Sequence, residues 1–193
     1  RELGGLAMGI YVDDAADYFT ITNNIIYDID SGTRRYCIFV KGLHNTIENN
    51  ILACAPGTIA AIRTYEMANE DVAHHVYRHN IISLEGESAI YQVRAWEDDK
   101  FDTADENVIR TTISHPFVLI GNTMLSWPEW REKYGFDTNT IIADPGFADS
   151  MHGDFTMPSD SPAYRAGFEP IDTGSIGLPA NHRYHPGQND SGS

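Results

Sequence analysis

The chain has 193 residues, with 28 Asp plus Glu against 13 Lys plus Arg, for a formal net charge of −15 at pH 7. Such a charge excludes nucleic acid and an anionic membrane surface as expected partners, because both repel an acidic protein. No apolar run approaches the roughly 20 residues of a membrane span. Cys37 and Cys54 are too few for a disulfide scaffold and lack metal-site spacing, so both are expected to be small buried residues.

The chain opens on "RELGGLAMGIYV", without a signal peptide or an initiator Met, and reads as a cut from something longer. Two kinds of short apolar segment then alternate. One kind runs "GIYVDD" (9–14), "CIFVKG" (37–42), "AIRTYE" (61–66) and "AIYQVR" (89–94), with Ile10, Ile38, Ile62 and Ile90 spaced by 28, 24 and 28 residues. The other runs "ITNNIIYDI" (21–29), "IENNILACA" (47–55) and "YRHNIISLE" (77–85), with Asn24, Asn50 and Asn80 in register. Two interleaved ladders with one slightly elastic period indicate a solenoid. The segments are rich in Ile, Val, Tyr, Phe and Thr and are separated by Gly, Asp, Asn and Ser, which is strand chemistry. The expected fold is therefore all-β, a parallel β-helix. The repeated Asn is expected at a bend, where Asn tolerates the left-handed conformation and its amide can bond the equivalent Asn one rung up.

After Trp96 the pattern weakens. Residues 97–107, "EDDKFDTADEN", are expected to loop out, and "HPFVLIGNTMLS" to supply a fourth Asn rung at Asn122. A short helix is expected in "WPEWREKYGFD", with Ser126 as N-cap and Pro128 in the first turn. The Gly-, Pro- and Asp-rich stretch 144–178 lacks strand periodicity and is expected to wrap over the open end of the stack. One structural domain follows: β-helix coils over 1–125, incomplete at the N-terminal end, a closing segment over 126–178 packed on them, and a flexible tail over 179–193.

Three passages stand out: "GIYVDD" followed ten residues later by "NN", "VKGLHNTIENNIL", and "IIADPGFADSMHGDFTMPSDSPAYRAGFEPID". They resemble the carbohydrate-active right-handed parallel β-helix proteins, most closely the family 141 glycoside hydrolases (fucosidases and xylanases) and their relatives. The resemblance covers roughly residues 4–178. It implies a right-handed β-helix, a bacterial, secreted or periplasmic protein, and a polysaccharide or oligosaccharide as partner. Further N-terminal coils of a longer parent chain are expected with it.

Alternate side chains of a strand face opposite ways. With Ile10/Val12, Ile38/Val40 and Ile62/Thr64 inward, Tyr11/Asp13, Phe39/Lys41 and Arg63/Tyr65 point outward. The fourth rung leaves two phases open: either Ile90 and Gln92 face inward, or Tyr91 and Val93 do. An outward stripe of aromatic and charged groups suits a glycan, whose rings stack on aromatic faces and whose hydroxyls bond planar polar groups. Tyr11, Phe39, Lys41, His44, Arg63, Tyr65 and Tyr91 are the candidate substrate-binding residues. Asp13, Asp14 and Glu66 are the candidate catalytic carboxylates. Glu66 lies two rungs from Asp14, about 9–10 Å along the stack, which side-chain reach can bring within the range for hydrolysis. Lys41 or Arg63 between them would hold one carboxylate ionised.

No metal site is expected. His75 and His79 of "HHVYRH" share a strand face but lie about 13 Å apart. Asp144, Asp149 and Asp154 offer oxygen ligands for calcium but lack EF-hand spacing, and are expected to accept loop backbone N–H groups instead. No cofactor is expected. The leading functional expectation is glycoside hydrolysis by a carboxylate acid/base pair. The alternatives are a non-catalytic carbohydrate-binding module or adhesin, and a polysaccharide lyase or epimerase.

Overall fold

In the computed structural model, residues 5–30, 32–66 and 71–174 are described. The expected tail over 179–193 lies outside them. Four successive coils each contribute three short strands, numbered in chain order. The first coil holds β1 (Leu6–Val12), β2 (Thr20–Thr22) and β3 (Ile25–Ile26), and the second β4 (Arg34–Val40), β5 (Thr46–Glu48) and β6 (Ile51–Cys54). The third holds β7 (Ala60–Thr64), β8 (His75–Arg78) and β9 (Ile81–Leu84), and the fourth β10 (Ala89–Val93), β11 (Phe101–Asp105) and β12 (Val108–Thr111). A partial coil follows with β13 (Phe117–Ile120), β14 (Thr123–Ser126), α1 (Trp127–Tyr134) and β15 (Ile141–Ile142), and a short helix α2 spans Pro162–Arg165.

Each coil stacks on the one before, strand on equivalent strand, giving three parallel sheets: β1-β4-β7-β10-β13, β2-β5-β8-β11, and β3-β6-β9-β12-β15. The protein is a parallel β-solenoid. The exception is β14, which folds back antiparallel on β13 through the two-residue turn Gly121-Asn122. Gly121 takes φ +59° there, as the first position of such a turn demands. Asn122 is thus a hairpin residue and not the fourth Asn rung.

That rung is Asn107. Asn24 Nδ2 donates to Asn50 Oδ1 at 3.0 Å, Asn50 Nδ2 to Asn80 Oδ1 at 3.0 Å, and Asn80 Nδ2 to Asn107 Oδ1 at 3.1 Å. The same oxygens accept the backbone N–H of the preceding ladder Asn. The left-handed residue at each bend is the one just before the ladder Asn: Asn23, Asn49, His79 and Glu106, with φ from 53° to 59°. Asn therefore supplies the cross-rung amide, while its neighbour makes the turn. Because Asn107 closes a full coil, 97–107 does not simply loop out. Phe101 and Ala104 of β11 are buried in the core. Two inward residues suffice for so short a strand, and Asp102 between them faces outward.

The core runs through the middle of the stack and includes Ile38, Ile47, Leu52, Ile62, Tyr77, Ile82 and Tyr91. Cys37 and Cys54 belong to it as free thiols, their sulfurs 3.1 Å apart. In the three middle strands of the first sheet strict alternation fails, since Cys37 and Ile38, Ala61 and Ile62, and Ile90 and Tyr91 are consecutive core residues. Register settles the fourth rung: Tyr91 pairs with Ile62, Gln92 with Arg63 and Val93 with Thr64.

α1 closes the last coil. Ser126 caps it in a capping box with Glu129, Pro128 sits in its first turn, and Gly135 ends it in the left-handed conformation. Its fully buried Trp130 lies over Tyr91 and Phe101. The Gly- and Pro-rich stretch after it runs down the side of the solenoid instead. Phe155, Ala163 and Phe168 pack on Ile51, Ile81 and Val108, the outward residues of the third sheet. Asn49, in the second coil, accepts from the Glu169 N–H and donates to its carbonyl.

Candidate functional site

The outer face of the first sheet is where most of the candidate residues meet. Cross-rung register aligns Tyr11, Phe39, Arg63, Gln92 and Leu119 in one row. In the next row Lys41 follows Val12, Tyr65 follows Val40 and Arg94 follows Thr64, each bonded through its backbone N–H to the preceding rung. The side chains interlock. Tyr11 meets Phe39 edge-on at 5.1 Å, and Phe39 packs on Tyr36 and Tyr65. The Arg63 guanidinium lies 4.9 Å from the Tyr36 ring, 5.2 Å from Phe39 and 4.5 Å from Tyr65, while Arg94 covers Tyr65 at 4.6 Å. Arg63 also donates to the Tyr36 hydroxyl. Stacking on ring faces lets two cations occupy one surface without a carboxylate between them. Phe39 faces outward yet is only 4% exposed because this layer covers it, whereas Tyr11 is 46% exposed.

Asp13, Asp14, Lys41 and Tyr11 form one cluster. Lys41 pairs with Asp14 and lies 3.5 Å from Asp13, and the Tyr11 hydroxyl donates to Asp13 at 2.6 Å. The Tyr11 bond, with a backbone N–H, holds the Asp13 carboxyl below its ordinary pKa. Partial burial, and then the bond to Asp13, raise the Tyr11 phenol. Burial works to lower the Lys41 ammonium, and bonding to Asp14 outweighs it, so Lys41 stays charged.

Glu66 lies apart. No hydrogen bond or ion pair joins it to Asp13 or Asp14; its cation is Lys100, 4.0 Å away, and its Oε2 is buried without a hydrogen-bond partner among the described residues. With His44 it lines a cleft of about 640 Å³ between the first and second sheets, together with Asp71, Glu97, Asp99 and Lys100. Tyr91 is not on the outer face at all. It is 1% exposed, its ring packed on Tyr77 and Trp130. The expectation fails because Ile90 and Tyr91 both turn inward, which shifts the fourth rung by one residue against the Ile ladder.

A carboxyl with a raised pKa lies inside. Burial pushes Asp137 up to about 6, against the lowering effect of Thr140, Trp130 and Asn107. It accepts from Trp130 Nε1 at 2.9 Å and Thr140 Oγ1 at 2.6 Å beneath α1, so it is structural. Asp144 and Asp154 accept the backbone N–H groups of Gly146 and Thr156, and Asp149 pairs with His152. The residues that strand alternation missed are Tyr36, Gln92, Arg94, Lys100, His74 and Asp102. Writing out the full register would have placed Gln92 and Arg94 beside Arg63 and Tyr65. "ENV" at 106–108, a variant of Asn-Ile, would have revealed the fourth coil.

No family model matches the chain, and no solved structure matches it. Among curated proteins, the uncharacterized protein YwoF of Bacillus subtilis (strain 168) is 25% identical over 194 residues, covering 81% of this chain and 40% of that protein. The chain thus spans about two fifths of the length of that relative.

Proposed function

We propose that the protein is a carbohydrate-active β-solenoid that engages a glycan along the outer face of β1, β4, β7 and β10. The observation that carries this reading is the continuous tier of Tyr11, Phe39, Arg63, Tyr65 and Arg94. Aromatic rings and planar donors stand there on successive strands, about 4.8 Å apart. Such a surface offers the exposed Tyr11 ring to pyranose C–H groups and guanidinium N–H groups to hydroxyls. The sequence resemblance to the family 141 glycoside hydrolases points the same way. Binding is the activity the geometry supports best, because the Asp13 carboxyl on this face is held below its ordinary pKa and so favours the ionised form over a general acid.

Hydrolysis is the second reading, and one observation favours it. Glu66 Oε2 is buried beside Lys100 without a hydrogen-bond partner among the described residues, which leaves a carboxylate oxygen open to a substrate group in the cleft. Affinity electrophoresis on neutral and uronic polysaccharides, beside a reducing-sugar assay, tests both. Retention by a neutral glycan that Tyr65→Ala abolishes supports the binding face. Reducing ends that disappear with Asp13→Asn and with Glu66→Gln support hydrolysis. Retention unchanged in Tyr65→Ala would remove the face from consideration, and calcium-dependent cleavage of pectin or alginate would replace hydrolysis with elimination.

A further inference from the structure

The bend between the first and second sheets carries a ladder of its own. Tyr18, His44 and His74 occupy equivalent places in successive coils, all with left-handed backbone, at φ 60°, 57° and 61°. Their rings stack at 4.8 and 4.7 Å, with interplanar angles of 12° and 6°. Asp102, one coil further on, bonds His74 Nδ1 at 2.9 Å. One donor atom from each of His44, His74 and Asp102 lies within 4.8 Å of the others. Stacking explains why the imidazoles are parallel. It does not supply a hydrogen bond to either His44 nitrogen, and none is present among the described residues although the ring is half-buried.

The geometry points to a divalent transition-metal site formed by His44, His74 and Asp102, for an ion of the zinc type. Two imidazoles and a carboxylate are a borderline-soft donor set that suits zinc better than calcium or magnesium, which take oxygen ligands. The fit needs a small movement. Zinc–nitrogen bonds of about 2.1 Å bring two ligands no further apart than about 4.2 Å, so the stacked rings must tilt toward each other. His44 and His74 lie at a bend, on half-buried side chains, where such a tilt displaces no core residue. The His74–Asp102 hydrogen bond already holds two of the three ligands together.

The surrounding field favours a cation. His44 and His74 line the same cleft as Glu66, Asp71, Glu97 and Asp99, where Lys100 is the one Lys or Arg among the described residues. Lys100 is itself occupied, 3.0 Å from Glu97 and donating to the Val72 carbonyl at 2.9 Å. Four carboxylates around one paired ammonium leave the cleft negative and raise the local concentration of a divalent ion. No single strand or loop carries these three ligands. The site is assembled across coils, by residues 30 and 28 positions apart.

Isothermal titration of the full chain with zinc chloride tests the assignment, and it does so whether or not the protein binds a glycan. One saturable site is expected. His44→Asn and His74→Asn should each weaken it by at least about 10-fold, and Asp102→Asn by about 10-fold. Asn is the substitution of choice because it tolerates the left-handed backbone and so preserves the bend, which unchanged circular dichroism would confirm. His152→Ala, which removes the exposed His152–Asp149 pair, should leave the affinity unchanged. Visible absorption of bound cobalt, present in the wild type and lost in the His44→Asn/His74→Asn double variant, is the second readout. Zinc affinity equal in the wild type and the double variant would overturn the site, as would binding lost in His152→Ala alone.

Discussion

Two of the three outer faces of this solenoid solve opposite problems. On the third sheet Ile51, Ile81 and Val108 point outward, and Phe155, Ala163 and Phe168 of the closing segment cover them. On the first sheet Tyr11, Arg63, Tyr65 and Arg94 point outward, and they cover the rings beneath by stacking on one another. The first solution needs another segment of chain, because aliphatic surface gains only by leaving water. The second leaves the face open, since guanidinium groups and phenol rims remain hydrated while their flat surfaces pack. A face dressed in this way can exchange its water for a ligand. A strapped face cannot.

The contrast is broken most directly on the strapped side. Phe168 is 3% exposed, so Phe168→Ala should destabilise the fold by about 3–5 kcal/mol, the usual cost of emptying a buried aromatic site. Urea denaturation measures the loss. Below the transition the variant should keep any polysaccharide retention of the wild type, because its cavity lies on the other side of the core. Loss of retention in a folded Phe168→Ala variant would show that the two faces are coupled.

Two aspartates sharpen the same comparison through pH. Asp13, exposed on the open face, is lowered by the Tyr11 hydroxyl. Asp137, sealed under α1, is raised by burial from 3.8 to about 6. For Asp137 the fold prefers the protonated form. Its contribution is fully present below pH 3.8 and is lost as pH rises through about 6, a total of about 3 kcal/mol. In Asp137→Asn the group no longer titrates. The stability difference between wild type and variant should therefore shift by up to about 3 kcal/mol in favour of the wild type as pH falls from 7 to 4. Denaturant midpoints at the two pH values read it directly. A difference that stays constant would mean that Asp137 is ionised in the folded protein at both.

The coils were legible in the sequence because their marks are periodic. Asn24, Asn50 and Asn80 recur with an isoleucine behind them, and each side-chain amide reads the next rung. Asn107 was obscured by its setting, since Glu106 and Val108 replace the Asn or His and the Ile that flank the other three. The open face was legible wherever alternation held, at Tyr11, Phe39, Arg63 and Tyr65. Alternation misled at Tyr91, because two consecutive inward residues shift the phase and nothing within that one strand announces it. The His44–His74–Asp102 corner was illegible for a different reason. Its members lie on three coils, so their proximity depends on coil length, which varies.

The smallest expected effect lies in the interior ladder, which belongs to neither face. Asn80 donates to the carbonyls of Ile47 and Arg78 and to Asn107, and accepts from the backbone and side chain of Asn50. Asn24 begins the described ladder and donates only to the Thr22 carbonyl and to Asn50. Removing Asn80 leaves buried partners without water to replace it, whereas the partners of Asn24 are nearer solvent. Asn80→Ala should then cost about 2–3 kcal/mol and Asn24→Ala about 1 kcal/mol, on the scale of buried and partly exposed hydrogen bonds. Chemical denaturation of the two variants measures the gap. Equal losses would mean that the ladder stabilises each bend locally, through the two bonds that both residues share in kind. A larger loss at Asn80 would mean that the amides act as one chain, and that the register holding the open face in line depends on its middle more than on its end.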